Sequence, residues 1–306
     1  MNVSGPSRLG ALVAGLALSS CATFRFQGQE IHLRHDVQAD ALEVGIAYLG
    51  LHARPEHVSE SGTAVRRIAG GERYLLLFDW PFELDVERIV AAAREDEAEP
   101  LGPNGERAIE LLDGISVVHA ELFLDEQGRL CAWQHLRLSR IGDWMRLAND
   151  AVHDSILEAV REGELVDSTP LLDERTRELW AASAAAREPW VRWEAGGLEI
   201  AVPATPATAA RWLASALELE DSGEDSERLT LFADLAQSLT ELRIEGDLLR
   251  ARFGPDERSL VHLRLRRWSW TYAPDVLESL GDERAVLETR STDELPGLLK
   301  ADERER

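Results

Sequence analysis

Apolar and polar residues alternate along most of this chain, and the alternation breaks at regular intervals into helical spacing. Phe24 to His35 and Leu42 to Leu51 read as strands around the turn segment Asp36–Asp40. A helix follows from Pro55 and stops at Gly70-Gly71, a usual C-terminal signal. The pattern recurs at Ile115 to Leu124 and Leu130 to Ser139, which flank Asp125-Glu126-Gln127-Gly128, a type I turn ending in glycine. A second helix runs from about Asp143, with Trp144, Met145, Ala148, Val152, Ile156 and Ala159 at helical spacing. Trp190 to Glu194 and Leu198 to Val202 turn at Gly196-Gly197, and Thr205-Pro206 offers an N-cap with proline at the first helical position. Glu241 to Glu245 and Leu248 to Phe253 turn at Gly246-Asp247; a further strand from Leu260 to Arg266 and a helix from Pro274 follow.

These hairpin-helix units predict an α+β fold of antiparallel sheets with helices packed on one face. An apolar strand at Tyr74 to Phe78 and a helix capped by Asp85 fall between the first two units, with Asp79-Trp80-Pro81 as a turn. The runs Glu95 to Pro103 and Glu220 to Glu227 read as solvated loops, and Glu162 to Thr169 as a linker. The predicted organisation is a signal at 1–20, an N-terminal α+β domain at 21–165, a C-terminal α+β domain at 170–291, and a polar, frayed tail at 292–306.

The first residues follow a different pattern. Arg8 precedes a ten-residue apolar run from Leu9 to Leu18, which meets Ser19, Ser20 and Cys21. A spanning helix needs about 20 apolar residues, so the run is of signal-peptide length. Leu18-Ser19-Ser20-Cys21 resembles the lipobox of bacterial lipoproteins. The resemblance implies diacylglycerol on the Cys21 thiol, cleavage before Cys21, and acylation of the new amino group; several chains anchor stably where one does not. The other reading is an ordinary signal cut near Ala22. Ala22, in place of aspartate, favours the outer membrane by analogy with enteric bacteria. The expected location is therefore the bacterial cell envelope, facing the periplasm.

The formal charge is −23, and loss of Arg8, the only charged side chain in the first 20 residues, makes the mature part −24. Such a surface argues against nucleic acid and against flat docking on anionic lipid. With 44% hydrophobic residues and nine tryptophans the chain can bury a sizeable core. Of its two cysteines, a lipidated Cys21 leaves Cys131 with no intramolecular partner, and Cys131 reads as a small half-buried hydrophobe.

The sequence carries no phosphate loop, no G-x-S-x-G elbow, no H-E-x-x-H and no paired cysteines for zinc, and neither a metal nor a cofactor is expected. Three clusters remain. On the second hairpin, Val118, Ala120, Leu122, Leu124, Leu130, Ala132, Leu136 and Leu138 read as core, and His119, Glu121, Phe123, Cys131, Trp133, His135 and Arg137 lie opposite. A bulged turn makes paired positions sum to about 254, setting His119 against His135 and Glu121 against Trp133. Those two histidines and Glu121 could bind a transition metal or serve acid-base work, whereas a second packing layer, or a wet face with incidental histidines, is the plainer explanation. On the fourth hairpin and its added strand, Leu242, Ile244, Leu249, Ala251, Phe253, Val261, Leu263 and Leu265 read as core. Opposite them Arg243, Arg250, Arg252, His262, Arg264 and Arg266 with Trp268 and Trp270 form a basic, aromatic-edged face suited to an anionic or glycan ligand, or one paired with Glu241 and Glu245. Asp150, His153 and Asp154 share a helix face, while His32 and His35 fall on opposite faces of a strand.

The pattern as a whole predicts a lipid-held envelope protein with a non-catalytic binding or scaffold role. Its membrane contact is the lipid, and its partners are an envelope protein or a glycan. A hydrolase built on His119, Glu121 and His135 is the alternative.

Overall fold

The computed structural model describes residues 24–53, 58–77, 80–83, 87, 103–162, 172–194, 196–221, 238–255, 261–265 and 276–301. The signal with Cys21, the helix expected after Asp85, the linker at 163–169 and the strand-end residues Arg266, Trp268 and Trp270 lie outside them. The fold is α+β with two main antiparallel sheets, as the alternation predicts.

The chain forms two compact units. The first holds residues up to Arg140 and resumes at His262; the second runs from Ile141 to Val261. The division is not the serial one expected from the linker at Glu162–Thr169. The helix from Ile141 goes with the second unit, and the chain then returns to the first. The reason is strand pairing: the strand after the fourth hairpin hydrogen-bonds into the first unit's sheet instead of extending its own hairpin.

In the first unit, β1 (Phe24–Asp36), β2 (Ala41–Ala53), β5 (Ile115–Leu124), β6 (Leu130–Ser139) and β11 (Val261–Leu265) form one sheet in the order β11-β1-β2-β6-β5. Register follows the alternation. His119 pairs His135 and Glu121 pairs Trp133, with the irregularity absorbed at Val118, between Val117 and His119. The β5–β6 turn is closed by Gly128 N–H donating to Asp125 O at 2.8 Å, and Gly128 takes φ 74°, a conformation in which a Cβ would be strained. Asp125 braces the turn by accepting from the Gln127 and Arg129 amides at 3.0 and 2.8 Å.

Helix α1 (Val58–Ala69) buries Ala64, Val65 and Ile68 and ends at Gly70-Gly71, with Gly71 at φ 70°. Trp80 and Pro81, expected in a turn, instead start a strand, β4 (Trp80–Glu83), that pairs with β3 (Tyr74–Leu77). Helix α2 (Pro103–Leu112) precedes β5; its proline stands at the helix start, where no amide is needed. The expected polar tail is also corrected. Thr292–Glu294 makes a 3-10 turn into α6 (Leu295–Ala301), whose Leu295 and Leu299 are fully buried and which packs on β2. The i,i+4 leucines supply an apolar face that the surrounding acidic residues masked in the sequence. Upstream, a 3-10 segment (Val276–Val286) kinked at Gly281 buries Val276, Leu277 and Leu280.

The second unit has α3 (Ile141–Glu162), α4 (Glu174–Ala186), β7 (Val191–Glu194), β8 (Gly197–Pro203), α5 (Pro206–Asp221), β9 (Glu241–Glu245) and β10 (Leu248–Phe253), with strand order β7-β8-β10-β9. Ile156, Ala184 and Trp190 form its core with Val152, Leu157, Trp180 and Val202. The Asn149 side chain accepts the Trp190 and Val191 amides at 2.7 and 2.9 Å and donates to Val191 O at 2.8 Å, tying α3 to β7. Asp173 caps α4 through the Thr176 amide at 2.7 Å, and its other oxygen accepts from the Thr205 and Thr208 hydroxyls at 2.6 and 2.7 Å. Thr205 in turn caps α5 as its Thr-Pro sequence predicts, accepting the Thr208 amide at 3.2 Å.

Candidate functional site

One face of the five-stranded sheet carries most of the first unit's buried chemistry. Registered partners share a face, so the rows can be read straight across. Arg34, Glu43 and Arg137 make one row; His32, Gly45, His135 and His119 the next; Glu30, Ala47, Trp133 and Glu121 the third. Trp133 is fully buried and its indole lies over Gly45, where a Cβ would overlap the ring. Glycine is therefore required here by the close approach of a side chain. On β6 both faces are buried from Leu130 to Leu136, so the face opposite the apolar one is a second packing layer with charges set into it.

Glu43 and His135, both almost fully buried, form the first ionic cluster. Their Oε2 and Nε2 atoms are 2.7 Å apart, and Arg137 donates to Glu43 Oε1 at 2.6 Å. Burial works to raise the Glu43 carboxyl's pKa. The His135 hydrogen bond and the charges of His135, Arg137 and Arg34 outweigh it and hold the group below the ordinary glutamate range. The carboxylate is then ionised, and the proton of this hydrogen bond belongs to His135 Nε2.

The expected trio of His119, Glu121 and His135 is brought onto one face and is not assembled into one site. His119 faces His135 across the strands, but its side chain is half exposed on the edge strand and lies 3.6 Å from Glu121. Glu121 also meets Arg290 at 3.1 Å, where residues 288–290 hydrogen-bond along the end of β5. His135 has its Nε2 on Glu43 and is almost wholly buried. The trio is therefore split into an edge pair, His119 with Glu121, and a buried pair, His135 with Glu43.

The second cluster was not anticipated. On β1, Glu30 and His32 point to the same side, and His262 reaches them from the neighbouring edge strand β11. His32 and His262 stack with ring centroids 4.4 Å apart and planes inclined by 16°. Glu30 Oε2 lies 3.3 Å from His262 Nε2 and 3.7 Å from His32 Nε2. His32 is buried beside the Trp133 indole, centroids 6.0 Å apart. The i,i+2 spacing of Glu30 and His32 was visible in the sequence. The third member was not, because alternation alone places His262 on the fourth hairpin's face.

That correction also divides the basic face. Arg264 sits on β11 in the five-stranded sheet, whereas Arg250 and Arg252 are on β10 in the other. On β10, Arg250 is met by carboxylates and Arg252 by a backbone carbonyl. Buried Glu199 accepts from Arg192 at 2.6 Å and from Arg250 at 2.5 Å, and Arg250 also lies 2.9 Å from Glu245. Burial raises the Glu199 pKa, but Arg192 and Arg250 together pull it below the usual range. Arg252 donates to Glu194 O at 3.2 Å, and Arg243 pairs with Glu241 and Glu245, each at 3.0 Å. Leu242 and Ile244, expected as core, are more than a third exposed on the edge strand β9.

His153 likewise leaves its expected carboxylate neighbours. It is buried edge-on against Trp190, while Asp154 pairs with Arg187 at 2.6 Å. Cys131 is buried and accepts the Gly50 amide at 3.4 Å; burial pushes its thiol up to about 11, which suits a packing role and not a nucleophile. A polar cavity of about 310 Å³ lies between Gln27, Leu49, Asp125, Arg129 and Thr292. Its main charges are matched, Arg129 Nε donating to Asp125 at 2.6 Å.

No protein-family model, curated protein or solved structure matches this chain.

Proposed function

We propose that the protein is a lipid-anchored binding or scaffold component of a bacterial cell envelope, held at the outer membrane and facing the periplasm. The observation that carries the reading is Leu18-Ser19-Ser20-Cys21 directly after a ten-residue apolar run. Two further features support it. Among the described residues no helix is long and apolar enough to cross a membrane, which is compatible with a lipid tether. The described charged groups of both sheet faces largely satisfy one another, which suits binding through a surface better than a reaction at a poised acid-base pair. Strand β1 begins at Phe24, so the lipid on Cys21 would hold the first unit close to the bilayer.

Replacing the lipidated thiol tests this directly. Cys21→Ser should move the protein from the membrane fraction to the soluble fraction and abolish incorporation of a labelled fatty acid. A variant that stays membrane-bound without label sinks the anchor.

A further inference from the structure

We propose that Glu30, His32 and His262 form a binding site for a divalent transition metal of the zinc type. This inference is independent of the lipid tether. In a tetrahedral site with bonds of about 2.0–2.1 Å, neighbouring ligand atoms stand about 3.4 Å apart. The two distances from Glu30 Oε2, 3.3 Å to His262 Nε2 and 3.7 Å to His32 Nε2, bracket that edge length. The three donor atoms all lie within 4.8 Å of one another.

The chemistry of the donors matches the geometry. Two imidazole nitrogens and one carboxylate oxygen are a borderline set, preferred by zinc and its neighbours over calcium or magnesium, which want oxygen alone. The near-parallel stack sets the two Nε2 lone pairs side by side, so the edge-strand His262 ring turns out of the stack to share a cation with His32 and Glu30. The strongly negative chain favours any approaching cation.

The frame is suited to holding ligands still. Glu30 and His32 stand two apart on an inner strand, and His32 is fixed against buried Trp133. His262 arrives from the edge strand with its side chain 28% exposed and its Nε2 turned inward, so a metal enters as that ring moves. Three protein ligands leave one tetrahedral position for water or for a donor atom of another molecule.

The test uses the full chain in detergent micelles and the metals alone. Zn²⁺ is titrated calorimetrically, and Co²⁺ is followed by the visible absorption of a tetrahedral complex. The expected result is one equivalent bound per chain, with binding weakened at least tenfold in Glu30→Gln and in His262→Gln. His119→Gln, at the far edge of the same sheet face, should bind as wild type does. The near-isosteric Glu30→Gln and the edge-strand His262→Gln are both expected to fold, which circular dichroism checks; if one does not, the other decides. The site is overturned if wild type takes up no stoichiometric metal. It is equally overturned if a folded Glu30 or His262 variant binds normally, or if His119→Gln loses binding as they do.

Discussion

Glu43 is the residue on which the charge balance of the first sheet turns, because it is buried and answers His135 and Arg137 at once. A carboxyl whose folded pKa lies below its unfolded value of about 4.3 releases protons on folding. Its contribution is therefore complete above that value and is lost as pH falls through the lower folded pKa. Glu43→Gln keeps the shape and removes the charge, at a cost of about 1.5–3 kcal/mol near neutral pH, the usual worth of a hydrogen bond to a charged group. Urea unfolding from pH 7 down to pH 3 should show the gap between the two proteins narrowing below about pH 4. A gap that does not change with pH would mean that the pairing contributes no charge-dependent stability. The partners of Glu43 could not be read in advance, since the nearer of the pair, His135, lies 92 positions away in the chain.

At the scale of elements, strand β2 is buried along its whole length, yet has a glycine in its middle. Gly45 is there because Trp133 crosses over it from β6. Gly45→Ala inserts a methyl group into a fully packed layer and should destabilise by about 1–3 kcal/mol, the ordinary cost of overpacking. Combined with Trp133→Leu, which makes room, it should cost less than the sum of the two single losses, because the two sites are coupled. Strictly additive losses in chemical denaturation would argue against the contact. The elements themselves were largely legible. Period-two alternation gave β5 and β6 with their register, and Gly-Gly and Thr-Pro marked the ends of helices α1 and α5. Strand β3 is legible as an apolar run, whereas alanine-rich α4 and four-residue β4, which opens on Trp80-Pro81, carry little periodic signal.

For the molecule as a whole, the chain leaves its first unit at Arg140 and completes it only after residue 262. β11 closes one edge of the sheet, residues 288–290 line the end of the other edge strand, and α6 packs on β2. Arg66 Nε, shared between both carboxylate oxygens of Glu283 at 3.0 and 3.1 Å, joins positions 217 apart. Leu299, fully buried on α6, should matter as a core residue despite its acidic surroundings. Leu299→Ala is expected to cost about 2–5 kcal/mol in the first unit's unfolding transition. A change within about 0.5 kcal/mol, the usual size of a surface substitution, would show that the helix docks loosely.

Local chemistry determined what local pattern can encode: the α+β class, the hairpins and their turns, the lipobox-like segment, and the set of residues able to carry charge or ligate. Alternation fixes which side chains share a strand face, because the side-chain period of a strand is two. It does not fix which strands become neighbours. That choice rests on long-range burial and edge pairing, and it moved β11 from the fourth hairpin to β1. The move separated Arg264 from Arg250 and Arg252, withdrew His262 from a basic face, and set it against Glu30 and His32. His119 and His135 were placed opposite one another by register alone, yet tertiary packing gave His135 to Glu43 and left His119 at the edge. A site is made of neighbours, and in an antiparallel sheet the neighbours across strands are decided by the whole fold.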